Sequence, residues 1–173
     1  AVRGTSHSLS FLLYNKKDAY VLERAHRLGV PVYLVEYAGK TREQAEREIL
    51  ALTERFHIDL IALAGYMKLL TPFFLTSFKG DILNIHPSLL PKYAGVNAIE
   101  RSYNAGDPEL GITVIKIDKG VDTGPILFQT SFKRSPGASL AEVEAEIHSL
   151  EHTYFPLVII RELDKIDQTI PNA

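Results

Sequence analysis

Short apolar runs with strand character alternate along this chain with stretches of helical period, and that order restricts it to α/β architectures. Residues 9–14 form the first run. Residues 18–28 follow with Ala19, Leu22, Ala25 and His26 on one face and Gly29 as a stop, so the opening theme is strand then helix. The theme repeats. Residues 32–37 are β-rich, and Thr41, Arg42, Glu43 and Gln44 form a capping box that starts a helix with Ala45, Ile49, Leu52 and Phe56 on its buried stripe. Residues 58–65 are apolar almost throughout, which predicts a central strand covered on both faces, as in parallel sheets. Thr71 and Pro72 cap and open a short helix that Gly80 ends. A strand over 81–85 is stopped by His86 and Pro87, and a short helix over 98–104 leads to two hairpin-like strands over 112–118 and 125–132. Ser139 to Glu142 is a second capping box, opening a helix expected to run to about Arg161 before a polar tail. The expected fold is a Rossmann-like, doubly wound α/β domain, with a mostly parallel sheet flanked by helices and its chemistry at the carboxyl ends of the strands.

At 173 residues, without an internal repeat or a linker, the chain reads as one domain over 1–173. Nineteen Lys and Arg against 21 Asp and Glu leave a formal charge of −2, with no block of one sign, so nucleic acid is not an expected partner. No apolar run approaches the ~18 residues of a membrane span, and no basic-then-apolar leader opens the chain. Disulfides are excluded because there is no Cys, which fits a cytoplasmic setting.

The most informative stretch is Asn84-Ile85-His86-Pro87-Ser88-Leu89-Leu90-Pro91. It sets an amide and an imidazole two apart at the end of a buried strand, so both side chains leave one face. A residue before proline is held extended, which fixes the direction of His86. The same residues could simply satisfy loop carbonyls, and the two readings weigh evenly on spacing alone. Asp122, in the turn Gly120-Val121-Asp122-Thr123-Gly124-Pro125, is a weaker candidate, because Asp in a turn usually bonds its own backbone. Its weight rises if the hairpin folds beside Asn84, since a carboxylate next to an imidazole fixes its tautomer. His148-Ser149-Leu150-Glu151-His152 matches an H-x-x-E-H zinc pattern, but such sites need a further ligand downstream, and no metal is expected. Gly39-Lys40-Thr41 follows a strand as a phosphate loop would, yet Leu34 stands where the first glycine belongs.

Taken together, Ala64-Gly65-Tyr66-Met67-Lys68-Leu69-Leu70, the Asn84 to Pro91 octapeptide, Asp122-x-Gly124-Pro125-Ile126 and Glu151-His152-x-x-Phe155-Pro156 resemble the glycinamide ribonucleotide transformylase family in order and spacing. The resemblance covers residues 11–160. It implies formyl transfer from 10-formyltetrahydrofolate, as co-substrate, to the amine of glycinamide ribonucleotide in de novo purine biosynthesis. It places Asn84, His86 and Asp122 at the catalytic positions. It further implies that Met67, Lys68, Leu69, Leu70, Ile82, Lys119, Gly120 and Val121 line the folate cleft, that Arg42 and Lys68 meet its anionic tail, and that Glu151 and Pro87 contact the substrate. The residue types suit the reaction: attack on a formyl carbon creates an oxyanion that Asn84 and a protonated His86 can stabilise, while Asp122 helps move a proton through water. No metal, covalent nucleophile or redox cofactor is required.

Two departures from the family stand out. Relatives begin with a strand and a Gly-rich loop that holds the ribonucleotide phosphate, whereas residues 9–14 align with the family's second strand and only eight residues precede them. That loss would leave two interior neighbours unpaired, which extra residues, a different sheet closure or a partner chain in a homo-oligomer would remedy. Ile115 stands where many relatives carry a His, and residues 111–116 look more like the tRNA- and sugar-directed formyltransferases. Methionyl-tRNA formyltransferase and formyltetrahydrofolate deformylase share the trio but carry an extra domain, after the core in the first and before it in the second, and the short tail after the last helix leaves no room for the former. The competing readings are a catalytically silent folate-binding homologue and a formyltransferase acting on another amine.

Overall fold

The computed structural model describes residues 4–169, and six strands and five helices occur among them. They divide into two compact units: the described part of Val2–Asp59 with Leu70–Gly80, and Leu60–Leu69 with the described part of Asp81–Ala173.

In the first unit, β1 (Leu12–Tyr14) and β2 (Val32–Leu34) pair in parallel with Leu12 opposite Val32, and α1 (Val21–Arg27) lies between them in the chain. Both strands are shorter than the runs over 9–14 and 32–37. Strand assignment needs a ladder partner, and this ladder is three residues long. The capping box forms as expected: the Thr41 N–H donates to Gln44 Oε1 (2.7 Å), the Gln44 N–H donates to Thr41 Oγ1 (3.2 Å), and α2 (Arg42–Arg55) follows. Its buried stripe holds Ala45 and Ile49, with Phe56 beyond its end against Phe11 and Tyr33. Glu46 is also fully buried. Its carboxylate accepts from the N–H (2.9 Å) and the hydroxyl of Thr71, the residue that caps α3 (Pro72–Ser77).

The second unit is a four-stranded sheet in the order β3 (Leu60–Leu63), β4 (Asp81–His86), β5 (Glu109–Lys116), β6 (Ile126–Lys133), with α4 (Ala98–Asn104) and α5 (Leu140–Thr169). β3 and β4 run parallel, whereas β5 pairs antiparallel with both β4 and β6. Among the described residues β3 pairs with β4 alone, so it is an edge strand with Ala62 exposed, where its sequence predicts a central one. An apolar run reports how little polar surface a strand carries; burial depends on what lies alongside it. The second capping box forms between Ser139 and Glu142, whose carboxyl is held below its usual range by the Ser139 N–H and hydroxyl. The helix outruns Arg161, and Glu162, in the polar stretch, is buried and paired with Arg161 and Lys165.

Side chains alternate along β4. Leu83 and Ile85 join Leu110, Ile112 and Val114 in a core that α5 covers with Val143, Ile147, Phe155 and Val158. The other face carries Ile82, Asn84 and His86. Among the described residues, no helix is long and apolar enough to cross a membrane.

Candidate active site

The site grows from the last turns of sequence in β4. His86 ends the strand with 5% of its surface exposed, and its Nδ1 lies 3.3 Å from Asp122 Oδ2. Its Nε2–H donates to the Tyr93 carbonyl at 3.0 Å. Both ring nitrogens therefore face acceptors. The pairing that the sequence left conditional is present.

Asp122 is held on its own terms. It adopts a left-handed backbone (φ 52°), a conformation that Asp tolerates better than most residues and that gathers at functional sites. Its Oδ2 also accepts the Gly95 N–H at 2.8 Å. Its Oδ1 accepts from no described residue and is reached by solvent. The backbone-bonding role expected of a turn carboxylate falls instead to Asp118, whose Oδ1 accepts the Gly120 N–H and the Thr123 hydroxyl, both at 2.8 Å. The chain can close this turn only with glycine at 124, because a Cβ there would collide with the Lys116 carbonyl.

Asn84 shares the face of His86, two residues upstream. Its amide bonds no other described residue and is not sealed from solvent, so its donors are available to a ligand. Directly opposite Asn84 in the β4–β5 register is Ile115, fully buried. An apolar neighbour at this point leaves the amide with no competing polar partner.

The other candidates fall as follows. Pro87 follows His86, and Lys119, Gly120 and Val121 lead into Asp122, with Val121 45% exposed. Leu63 is paired with Asn84, so Met67, Lys68 and Leu69 follow β3 from the strand end nearest the trio, and Met67 is 72% exposed. Ile82 is buried on the Asn84 face, its carbonyl accepting the Ile117 N–H at 2.8 Å. Arg42 opens α2, and it and Leu70 belong to the other unit. Glu151 sits on α5, where its carboxylate takes His148 Nδ1 at 2.8 Å; no hydrogen bond or ion pair joins it to Asn84, His86 or Asp122. Among the described residues no three potential metal ligands gather.

Several contributors lie outside that set. The Tyr93 carbonyl and the Gly95 N–H hold the His–Asp pair, and a backbone group leaves no residue signature in a sequence. Tyr93's hydroxyl is itself raised by burial and by its bond to Asp107. Thr113, fully buried, and Gln129 bind the loop that follows His86. Their signal is the β-register, which sequence does not print.

A buried imidazole–carboxylate pair beside an available amide, at a strand end of an α/β sheet, has the donors and acceptors that acid–base acyl transfer uses. A family profile described as formyl transferase matches residues 2–159, and the chain belongs to that family. It is 42% identical over 156 residues to the phosphoribosylglycinamide formyltransferase of Bacillus subtilis (strain 168), covering 88% of this chain and 78% of that one. To the enzyme of the same name from Haemophilus influenzae it is 44% identical over 153 residues, covering 87% and 72%. The crystal structure of phosphoribosylglycinamide formyltransferase from Streptococcus pneumoniae TIGR4 superimposes with a TM-score of 0.86 at 38% identity, over 90% of this chain and 87% of that chain. The doubly wound α/β class read from the sequence is thereby borne out.

Proposed function

We propose that this chain transfers a formyl group from 10-formyltetrahydrofolate to the amine of glycinamide ribonucleotide, in de novo purine biosynthesis. The observation that carries the reading is the His86–Asp122 pair at 3.3 Å beside the available amide of Asn84, in a chain 42% and 44% identical to enzymes named for formyl transfer to that acceptor. The amine lone pair attacks the formyl carbon, and the carbonyl π pair moves to oxygen. Asn84 Nδ2 donates to the oxyanion, and His86 adds a second donor once its Nε2–H leaves the Tyr93 carbonyl. Such a donor is worth roughly 3–4 kcal/mol of barrier. Asp122 orients the ring through Oδ2, while Oδ1, open to solvent, passes the proton from the new ammonium through water to the folate nitrogen. The oxyanion lone pair then re-forms the C=O as the C–N bond to folate breaks, and the electron pair of that bond stays on the folate nitrogen.

Met67, Lys68 and Leu69, with Ile82, Lys119, Gly120 and Val121, line the folate side of this site, and Pro87 and Glu151 serve the glycinamide side. The single-domain reading of 1–173, a cytoplasmic setting and small-molecule partners without nucleic acid or membrane belong to the same proposal. The step moves only protons and an acyl group, so dialysis against EDTA leaves the rate unchanged. Purified chain mixed with both substrates forms formylated product and tetrahydrofolate, and His86→Ala abolishes turnover while folate still binds. Folate binding without turnover by the unaltered chain would overturn the reading.

A further inference from the structure

His86, Thr113 and Gln129 stand directly opposite one another across β4, β5 and β6, so their side chains form one row on the reactive face. Only the first has a place in the chemistry. The Thr113 hydroxyl, in a residue with no exposed surface, uses all its capacity: it donates to the Ser88 carbonyl (2.6 Å) and accepts from the Leu90 N–H (3.1 Å) and from Gln129 Nε2 (2.9 Å). With its one hydrogen spent on Ser88, Thr113 cannot serve the Leu90 carbonyl. Gln129 does so, with Nε2 at 3.0 Å. The amide thus bridges the hydroxyl and the loop from the edge strand.

That loop is the one that holds the catalytic pair. Ser88 is two residues past His86, and the segment fixed at Leu90 runs on to the Tyr93 carbonyl, which takes His86 Nε2, and the Gly95 N–H, which takes Asp122. We infer that Gln129 is a positioning residue: acting through Thr113 and Leu90, it sets where the loop presents these two backbone groups and so fixes the His86 ring against Asp122. The inference rests on the proposed function for its kinetic consequence, and on the geometry alone for its effect on the ring.

Gln129 is itself exposed, so its replacement leaves the core intact. In Gln129→Met, kcat falls about 10- to 100-fold with little change in KM for folate, the effect expected when reacting groups are misplaced by a fraction of an ångström to one ångström. The acid limb of the pH profile moves, and the imidazole nitrogen resonances of His86 shift in the ligand-free protein. Gln129→Glu recovers activity towards low pH, where a protonated carboxyl can again donate to Leu90. Thr113→Ser, which keeps the hydroxyl, behaves as the parent, and Thr113→Val does not. If Gln129→Met lowers only the melting temperature, with kcat, pH profile and His86 resonances of the folded protein unchanged, the positioning role is overturned. Should the parent chain fail to turn over at all, the proposed function falls, and the His86 resonances still decide the role of Gln129.

Discussion

Asn84 and His86 contribute to one site by different physical means. The imidazole is committed to two acceptors before any substrate arrives, whereas the amide is committed to none, with buried Ile115 opposite it. In the proposed reaction the amide is therefore the pre-aimed donor for developing negative charge. Asn84→Ala is expected to lower kcat by about 100- to 1,000-fold with a small effect on folate KM, measured by steady-state kinetics. This half of the site is legible from sequence, because a two-residue spacing in a strand puts Asn84 and His86 on one face and Pro87 fixes the exit. Asp122 is only partly so: its turn holds a second carboxylate, Asp118, and nothing in the residue order says which one closes the turn and which one reaches the ring. Gln129 is hidden for another reason. It occupies the polar phase of an alternating edge strand, where a glutamine reads as a solvated surface residue.

At the scale of elements, the capping residues forecast helix starts well and helix ends poorly. Thr41 and Ser139 start α2 and α5 through bonds made within four residues, which sequence spells out. The far end of α5 depends on tertiary partners: Arg161 Nη2 reaches the Leu127 carbonyl at 3.0 Å, and Glu162 is held between Arg161 and Lys165. Burial works to raise the Glu162 carboxyl, but the bonds from Lys165 and Arg161 together outweigh it and leave it below its usual range. A carboxyl lowered in the folded state stabilises the fold above its unfolded value, and that contribution disappears as pH falls through the lowered folded value. Urea unfolding across a pH series should show Glu162→Gln less stable than the parent at neutral pH, with the gap closing in acid. A gap that widened in acid would contradict this assignment.

For the molecule as a whole, the order of elements announces an α/β fold, and the pairing of strands decides how it is realised. Apolar content alone does not distinguish an interior strand from an edge one, as β3 shows. The core against α5 is built from residues on the phase of β4 and β5 opposite to that of Asn84 and His86, and Ile147, 1% exposed, belongs to it. Ile147→Ala is expected to cost about 2–5 kcal/mol in urea unfolding, through lost contacts and a residual cavity, with kcat of the folded protein essentially unchanged.

The two phases of β4 amount to a division of labour along a single ribbon of backbone. Odd steps anchor the scaffold and, under the proposed function, even steps meet the reactants, so changes that retune which amine is accepted can accumulate on one side without eroding the foundation on the other.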